Sequence, residues 1–121
     1  MEWILLILGG LGIGVLASMS GLGGGFLVVP VLLYLGKKAQ MSVGTSFIVV
    51  FLIAASSVAA HYRQGNIDFK TGLLIAAGGI VGAQLGPLIL QKMSEQHFKL
   101  FFAGVLVLLA IWLVIQARNP V

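Results

Sequence analysis

The segment Ser20-Gly-Leu-Gly-Gly-Gly-Phe-Leu-Val-Val-Pro30 places Gly21, Gly23, Gly24 and Gly25 within five positions of an otherwise apolar run. Each glycine costs a helix interior about 1 kcal/mol relative to alanine, so the run is expected to break a helix. A helix restarting at Gly25 or Phe26 exposes unpaired backbone N–H groups and the positive end of its dipole. With no side chain in the way, an anion can reach those amides. A second reading is that the glycines only permit close helix packing or a tight hairpin. A dinucleotide or P-loop reading fails, because the spacing breaks G-x-G-x-x-G and no G-K-[ST] follows.

Other polar groups in apolar surroundings join the candidates. Gly44-Thr45-Ser46 puts two hydroxyls at the head of an apolar segment, where they either donate to a ligand or cap their own helix. Ser20 belongs with the glycine run, and Gln84, buried in a membrane helix, needs a partner or lines a pathway. Together Ser20, Gly21, Gly23, Gly24, Gly25, Gly44, Thr45, Ser46 and Gln84 are the candidate substrate-binding residues. His61 and Tyr62 close a segment and serve either as gating or proton-linked groups or as interface anchors. Gly78, Gly82 and Gly86 form a G-x-x-x-G-x-x-x-G stripe, and Gly10, Gly14 and Ser18 form a similar one; both read as helix-packing faces.

The elements that position these residues must lie in a membrane. Of 121 residues 60% are hydrophobic and 8% charged, against about 25% charged in a soluble domain. The mean hydropathy is +1.13. The chain has no cysteine, and His61 and His97 are far apart, so no metal site and no cofactor are expected. The net charge of +4 comes from Lys and Arg in short gaps between apolar runs, which argues for membrane flanks and against nucleic acid. The N-terminus lacks the positive region of a cleaved signal peptide.

Five apolar segments follow one another, at about 3–19, 26–35, 43–61, 71–90 and 98–115. The last three match the ~20 residues needed to cross a bilayer as helix. Runs such as Ile48-Val-Val-Phe-Leu-Ile53 lack the alternation of a β-barrel. The expected fold is an all-α membrane protein, a polytopic bundle of about five helical segments forming one domain over residues 1–121. Ser42, Asp68 and Ser94 are read as N-caps for segments three, four and five. Segment two, about ten residues long, covers only about half the hydrocarbon thickness. With Lys37 and Lys38 at one surface, Gly23 to Gly25 fall near the midplane, where irregular backbone is tolerated only beside protein or a water-filled cavity.

Lys37, Lys38, Lys92 and Lys99 fall on one side and Arg63, Lys70 and Arg118 on the other, a near balance compatible with dual topology. Segments one and two form either a hairpin, with the chain ends on opposite faces, or one broken helix. Trp3 and Trp112 read as interface anchors. No Asp, Glu, Lys or Arg lies centrally in any segment, whereas proton-coupled cation exporters usually keep a membrane carboxylate. That pattern suits an anion. No nucleophile–base pair or carboxylate pair stands out, so no enzyme is expected.

The order Gly21-Leu-Gly-Gly-Gly-Phe-Leu-Val-Val-Pro30, Gly44-Thr-Ser46, Gly65-Asn-Ile-Asp68 and Gly78-Gly-Ile-Val-Gly-Ala-Gln-Leu-Gly86 resembles the sulfite exporter TauE/SafE family. The resemblance covers nearly the whole chain. It implies a membrane transporter exporting sulfite, sulfonates or related small organic anions from a cell (plasma or inner) membrane. Family proteins are usually about twice this long with two related halves, while each motif occurs here once. The expected working unit is therefore a homodimer, antiparallel if segments one and two form a hairpin, with the anion site at the glycine breaks. Alternatives are a non-transporting membrane assembly subunit and a small multidrug or cation exporter.

Overall fold

A computed structural model describes residues 2–119 as five α-helices. They are α1 (Glu2–Ser20), α2 (Gly25–Tyr34), α3 (Ala39–Arg63), α4 (Phe69–Leu90) and α5 (Glu95–Arg118). All but α2 are long and apolar enough to cross a membrane. The ten residues of α2 rise only about 15 Å, half of a ~30 Å hydrocarbon core.

The contacts settle how the first three helices run. The would-be Cβ of Gly24 meets Ile13 and Ala17 of α1 and Ile53 of α3. Five residues on from Ile13, the carbonyl of Ser18 meets the His61 ring, eight residues on from Ile53. So α1 and α3 run in the same direction. One turn further along α2, Val29 packs in one cluster with Ala39 at the start of α3 and Phe98 of α5. The chain thus folds back at Gly21–Gly24, and α1 and α2 form a hairpin. Of the two arrangements left open by the sequence, the broken helix is excluded. The start of α1 therefore lies toward the Lys37 end of the bundle, while α5 runs with α3 and ends toward Arg63.

The caps are local chemistry with one exception. Asp68 accepts from the Thr71 amide at 3.1 Å and its hydroxyl at 2.7 Å, as expected of an N-cap. These bonds, the hydroxyl's first, hold the Asp68 carboxyl below its ordinary value of 3.8. Ser94 caps α5 through the His97 amide at 3.1 Å. Ser42 does not cap α3. The helix begins a turn earlier at Ala39, after Lys38, and the Ala39 amide donates to both carboxylate oxygens of Glu95, at 2.9 and 2.8 Å. A carboxylate 56 positions away has taken the capping role, and Ser42 is left fully buried. Its hydroxyl has no partner among the described residues.

The core is thin. Ala17, Val28, Val29, Ala39 and Phe98 are its buried apolar side chains, and α4 buries none of its residues. The chain exposes 9571 Å², against about 6,200 Å² for a compact water-soluble monomer of this mass. Most of the excess is large aliphatic and aromatic surface, Trp3 and Trp112 included. A bilayer accommodates such a surface and water does not.

Candidate functional site

The turn between α1 and α2 sets the backbone of the site. Gly23 and Gly24 have φ of 78° and 90°, the left-handed region that disfavours any residue with a Cβ. Gly24 is also hemmed in: a Cβ there would lie 3.2 Å from Ile13 Cγ2 and 3.3 Å from Ala17 Cβ. These two glycines make the reversal, which is why the chain breaks its helix here. Gly25 differs. It is the first residue of α2, and its Cβ would meet Val50 Cγ2 at an ordinary 3.6 Å. Gly25 thus has room for a Cβ, which Gly24 lacks.

This turn lies opposite the middle of α3, because Val50 is the α3 neighbour of both Gly23 and Gly25. The Leu27 and Val28 amides both donate to Gly24 O, at 3.0 and 2.9 Å. The Leu22 amide reaches Ser20 Oγ at 3.3 Å. The amides of Gly23, Gly24, Gly25 and Phe26 have no acceptor among the described residues. Four unpaired donors opposite the middle of α3, at the positive end of a helix, form an environment that favours negative charge.

The remaining candidates divide between near and far. On α3 the turn's neighbours are Val50 and Ile53, a turn or more beyond Gly44, Thr45 and Ser46. Ser46 is buried, and its hydroxyl donates to Val43 O at 2.6 Å. Thr45 is half-buried and Gly44 exposed. Gln84 is exposed on α4 and is not among the neighbours of this turn. His61 is half-buried, with Nε2 3.0 Å from Ser18 O. A carbonyl can only accept, so Nε2 carries the proton. Tyr62 is exposed and meets Phe69 edge-on at 5.9 Å. Where a Cβ would stand on Gly10, Gly14, Gly78, Gly82 or Gly86, nothing lies within 4 Å.

Two cavities flank α3. One, of about 550 Å³, lies between α1 and α3 and is lined by residues including Gly14, Ser18, Ile53, Ser56, Ser57 and Ala60. The other, of about 810 Å³, is walled by apolar residues such as Val43, Phe47, Leu90, Phe98 and Phe101. Sequence reasoning passed over Ser56 and Ser57, although a Ser–Ser pair inside an apolar span was a visible signal.

With the hairpin, its unpaired amides and the long apolar helices in place, comparison with known proteins becomes informative. The family model for sulfite exporter TauE/SafE matches residues 6–120. The chain belongs to this family. It is a membrane transporter family and not an enzyme class. The chain is 28% identical to Probable membrane transporter protein YunE of Bacillus subtilis over 98% of its own length and 46% of the relative's. It is 33% identical to Probable membrane transporter protein YjnA of the same organism, over 92% of this chain and 46% of the relative. Sulfite exporter TauE/SafE family protein 5 of Arabidopsis thaliana is 29% identical over 69% of this chain and 18% of the relative. The chain thus spans slightly under half the length of its bacterial relatives. No solved structure matches it. As a member of this family with four candidate spans, the chain is a multi-pass membrane protein.

Proposed function

We propose that the chain forms one half of a transporter whose cargo is a small sulfur-containing or organic anion such as sulfite or a sulfonate. The observation that carries this reading is the set of four unpaired amides, Gly23 to Phe26, at the head of α2 opposite the middle of α3. Backbone donors at that depth replace the water of an anion, and a half-length helix aims its positive end at it. Family membership supplies the substrate class. Gly44 to Ser46, Gln84 and the His61–Tyr62 pair remain in the proposal as supporting positions, the last as a gate, although the nearest α3 neighbours of the turn are others.

The working unit in this reading is a homodimer in the cell membrane. The empty stripe at Gly78, Gly82 and Gly86, on a helix with no buried residue, supports a second unit packed there. With α1 and α2 as a hairpin, the start of α1 and the end of α5 fall at opposite ends of the bundle, which supports an antiparallel arrangement.

The test follows from the difference between neighbouring glycines. Gly25→Leu makes only an ordinary contact at its Cβ and adds bulk at the head of α2 beside the amides, so sulfite flux into proteoliposomes should fall to background with the thermal unfolding midpoint retained. Gly24→Leu should lose the fold as well, because both its φ and its neighbours forbid a side chain. Undiminished flux in Gly25→Leu removes the glycine turn from the site.

A further inference from the structure

Six serines lie along α1 and α3; Ser42 is buried near the start of α3, and the hydroxyls of the other five fall into two groups. Ser20 donates to Ala17 O at 3.4 Å and Ser46 to Val43 O at 2.6 Å, the back-bonding by which a hydroxyl is satisfied in an apolar helix. Ser18, Ser56 and Ser57 make no side-chain hydrogen bond among the described residues. All three line the 550 Å³ groove between α1 and α3. Hydroxyls left unpaired at membrane depth call for water or a polar ligand.

The groove's position gives it direction. It begins at Ile53, which touches the Gly24 position of the turn at 3.8 Å. It continues past Ser56 and Ser57 to Ala60, next to His61, whose ring ties α3 to Ser18 O. From Ile53 to His61 is about 12 Å of helix rise, close to half the hydrocarbon thickness. Gly10 and Gly14 floor the α1 side, with nothing filling the space a side chain would take.

We infer that this groove is a water-filled half-channel, in which Ser18, Ser56 and Ser57 pass the anion between the glycine turn and the Arg63 face. The inference rests on the glycine turn as the anion site, and deepens it by adding the route. On the Lys37 side of the turn the groove reaches only Gly10 and Leu11 of α1, and α2 packs against α3 through the cluster of Val29, Ala39 and Phe98. An anion at the turn therefore meets donors in one direction and apolar side chains in the other.

The chain has no cysteine, so single replacements read the groove without background. Ser56→Cys and Ser57→Cys are near-isosteric, and Leu52→Cys and Val58→Cys place the same thiol on exposed apolar positions of the same helix. The probe is 2-sulfonatoethyl methanethiosulfonate, an anionic reagent whose sulfenyl sulfur is attacked by a thiolate in water to give a mixed disulfide and methanesulfinate, applied to the full chain in proteoliposomes. Ser56→Cys and Ser57→Cys should be modified at least about tenfold faster than the two controls, because a thiol in hydrocarbon stays protonated. Methanesulfonate should slow that modification, and the attached sulfonate should stop sulfite flux. Rates equal to those of the controls overturn the half-channel. The two readings fail separately: unmodified serine positions with flux lost in Gly25→Leu remove the groove and leave the turn. Rapid modification with full flux in Gly25→Leu supports the groove and removes the turn.

Discussion

The two halves of α3 face different surroundings, although one continuous helix supplies both. Toward Lys37 its inner face meets α2 and α5, with Val29, Ala39 and Phe98 buried together and Glu95 capping the helix start. Toward Arg63 it meets α1 across a groove whose three serines make no side-chain hydrogen bond among the described residues, and touches α4 where Tyr62 meets Phe69. The cause is the length of α2. Ten residues cover fewer than half of the 25 in α3, so α2 lies along only one half of that helix. The glycines that end α2 mark the border between a packed half and an open one. A membrane helix bundle gains little from hydrophobic exclusion, so its packed half depends on contact and its open half on what polar groups are left unpaired.

The largest expected effect breaks the packed half. Phe98 is buried between α3 and α2 and stacks at 5.7 Å from Phe102. Phe98→Ala should lower stability by about 3 kcal/mol, through the cavity it leaves. Ser57→Ala in the open half should change it by less than about 0.5 kcal/mol. Equal losses, measured by denaturation in the same detergent, would mean that the two halves are packed alike.

A smaller effect tests what seals the packed end. Glu95 links the start of α5 to the start of α3 through the Ala39 amide. A charged acceptor on an otherwise free helix amide is worth about 1–2 kcal/mol. Glu95→Ala should lose that amount, and Glu95→Gln should recover part of it by keeping one oxygen. No difference between Glu95→Ala and the unaltered chain in a thermal unfolding series would show that the contact does not hold α3 to α5.

Much of this was legible in the sequence, and the limits have physical causes. The five helices follow from apolar run length, and the restart at Gly25 from the cost of helical glycine. Asp68 was readable as a cap because its partner, Thr71, is three residues on. The cap of α3 was not, because Glu95 reaches it only through tertiary structure, and Ser42 offered a local substitute that the fold did not use. The hairpin was likewise undecided, since glycine permits a reversal and a kink equally, and only contacts of Gly24 with both α1 and α3 distinguish them. Within the glycine run the sequence could not separate Gly24, which holds the turn, from Gly25, which has room for a Cβ. For the candidate site, the amides were found from spacing alone. Ser56 and Ser57 were missed because serine in an apolar helix usually bonds back to its own backbone, as Ser46 does here.

The smallest expected effect sharpens the comparison through one residue type. Ser42 is 0% exposed and its hydroxyl has no partner, yet it sits in the packed half, a turn from Ala39. A buried hydroxyl without a partner destabilises, so its removal should be neutral or raise stability by up to about 1 kcal/mol. Ser42→Ala should therefore shift the unfolding midpoint slightly upward and leave sulfite flux unchanged. Ser56 and Ser57 are equally unpaired but open to the groove, where the hydroxyl has access to water or an anion; replacing both with alanine should reduce flux at nearly constant stability. If Ser42→Ala instead reduced flux, the hydroxyl would be meeting the anion, and the packed half would have to open during transport. The same unpaired group is then a defect on one side of the glycine turn and a ligand contact on the other, with depth along α3 deciding which.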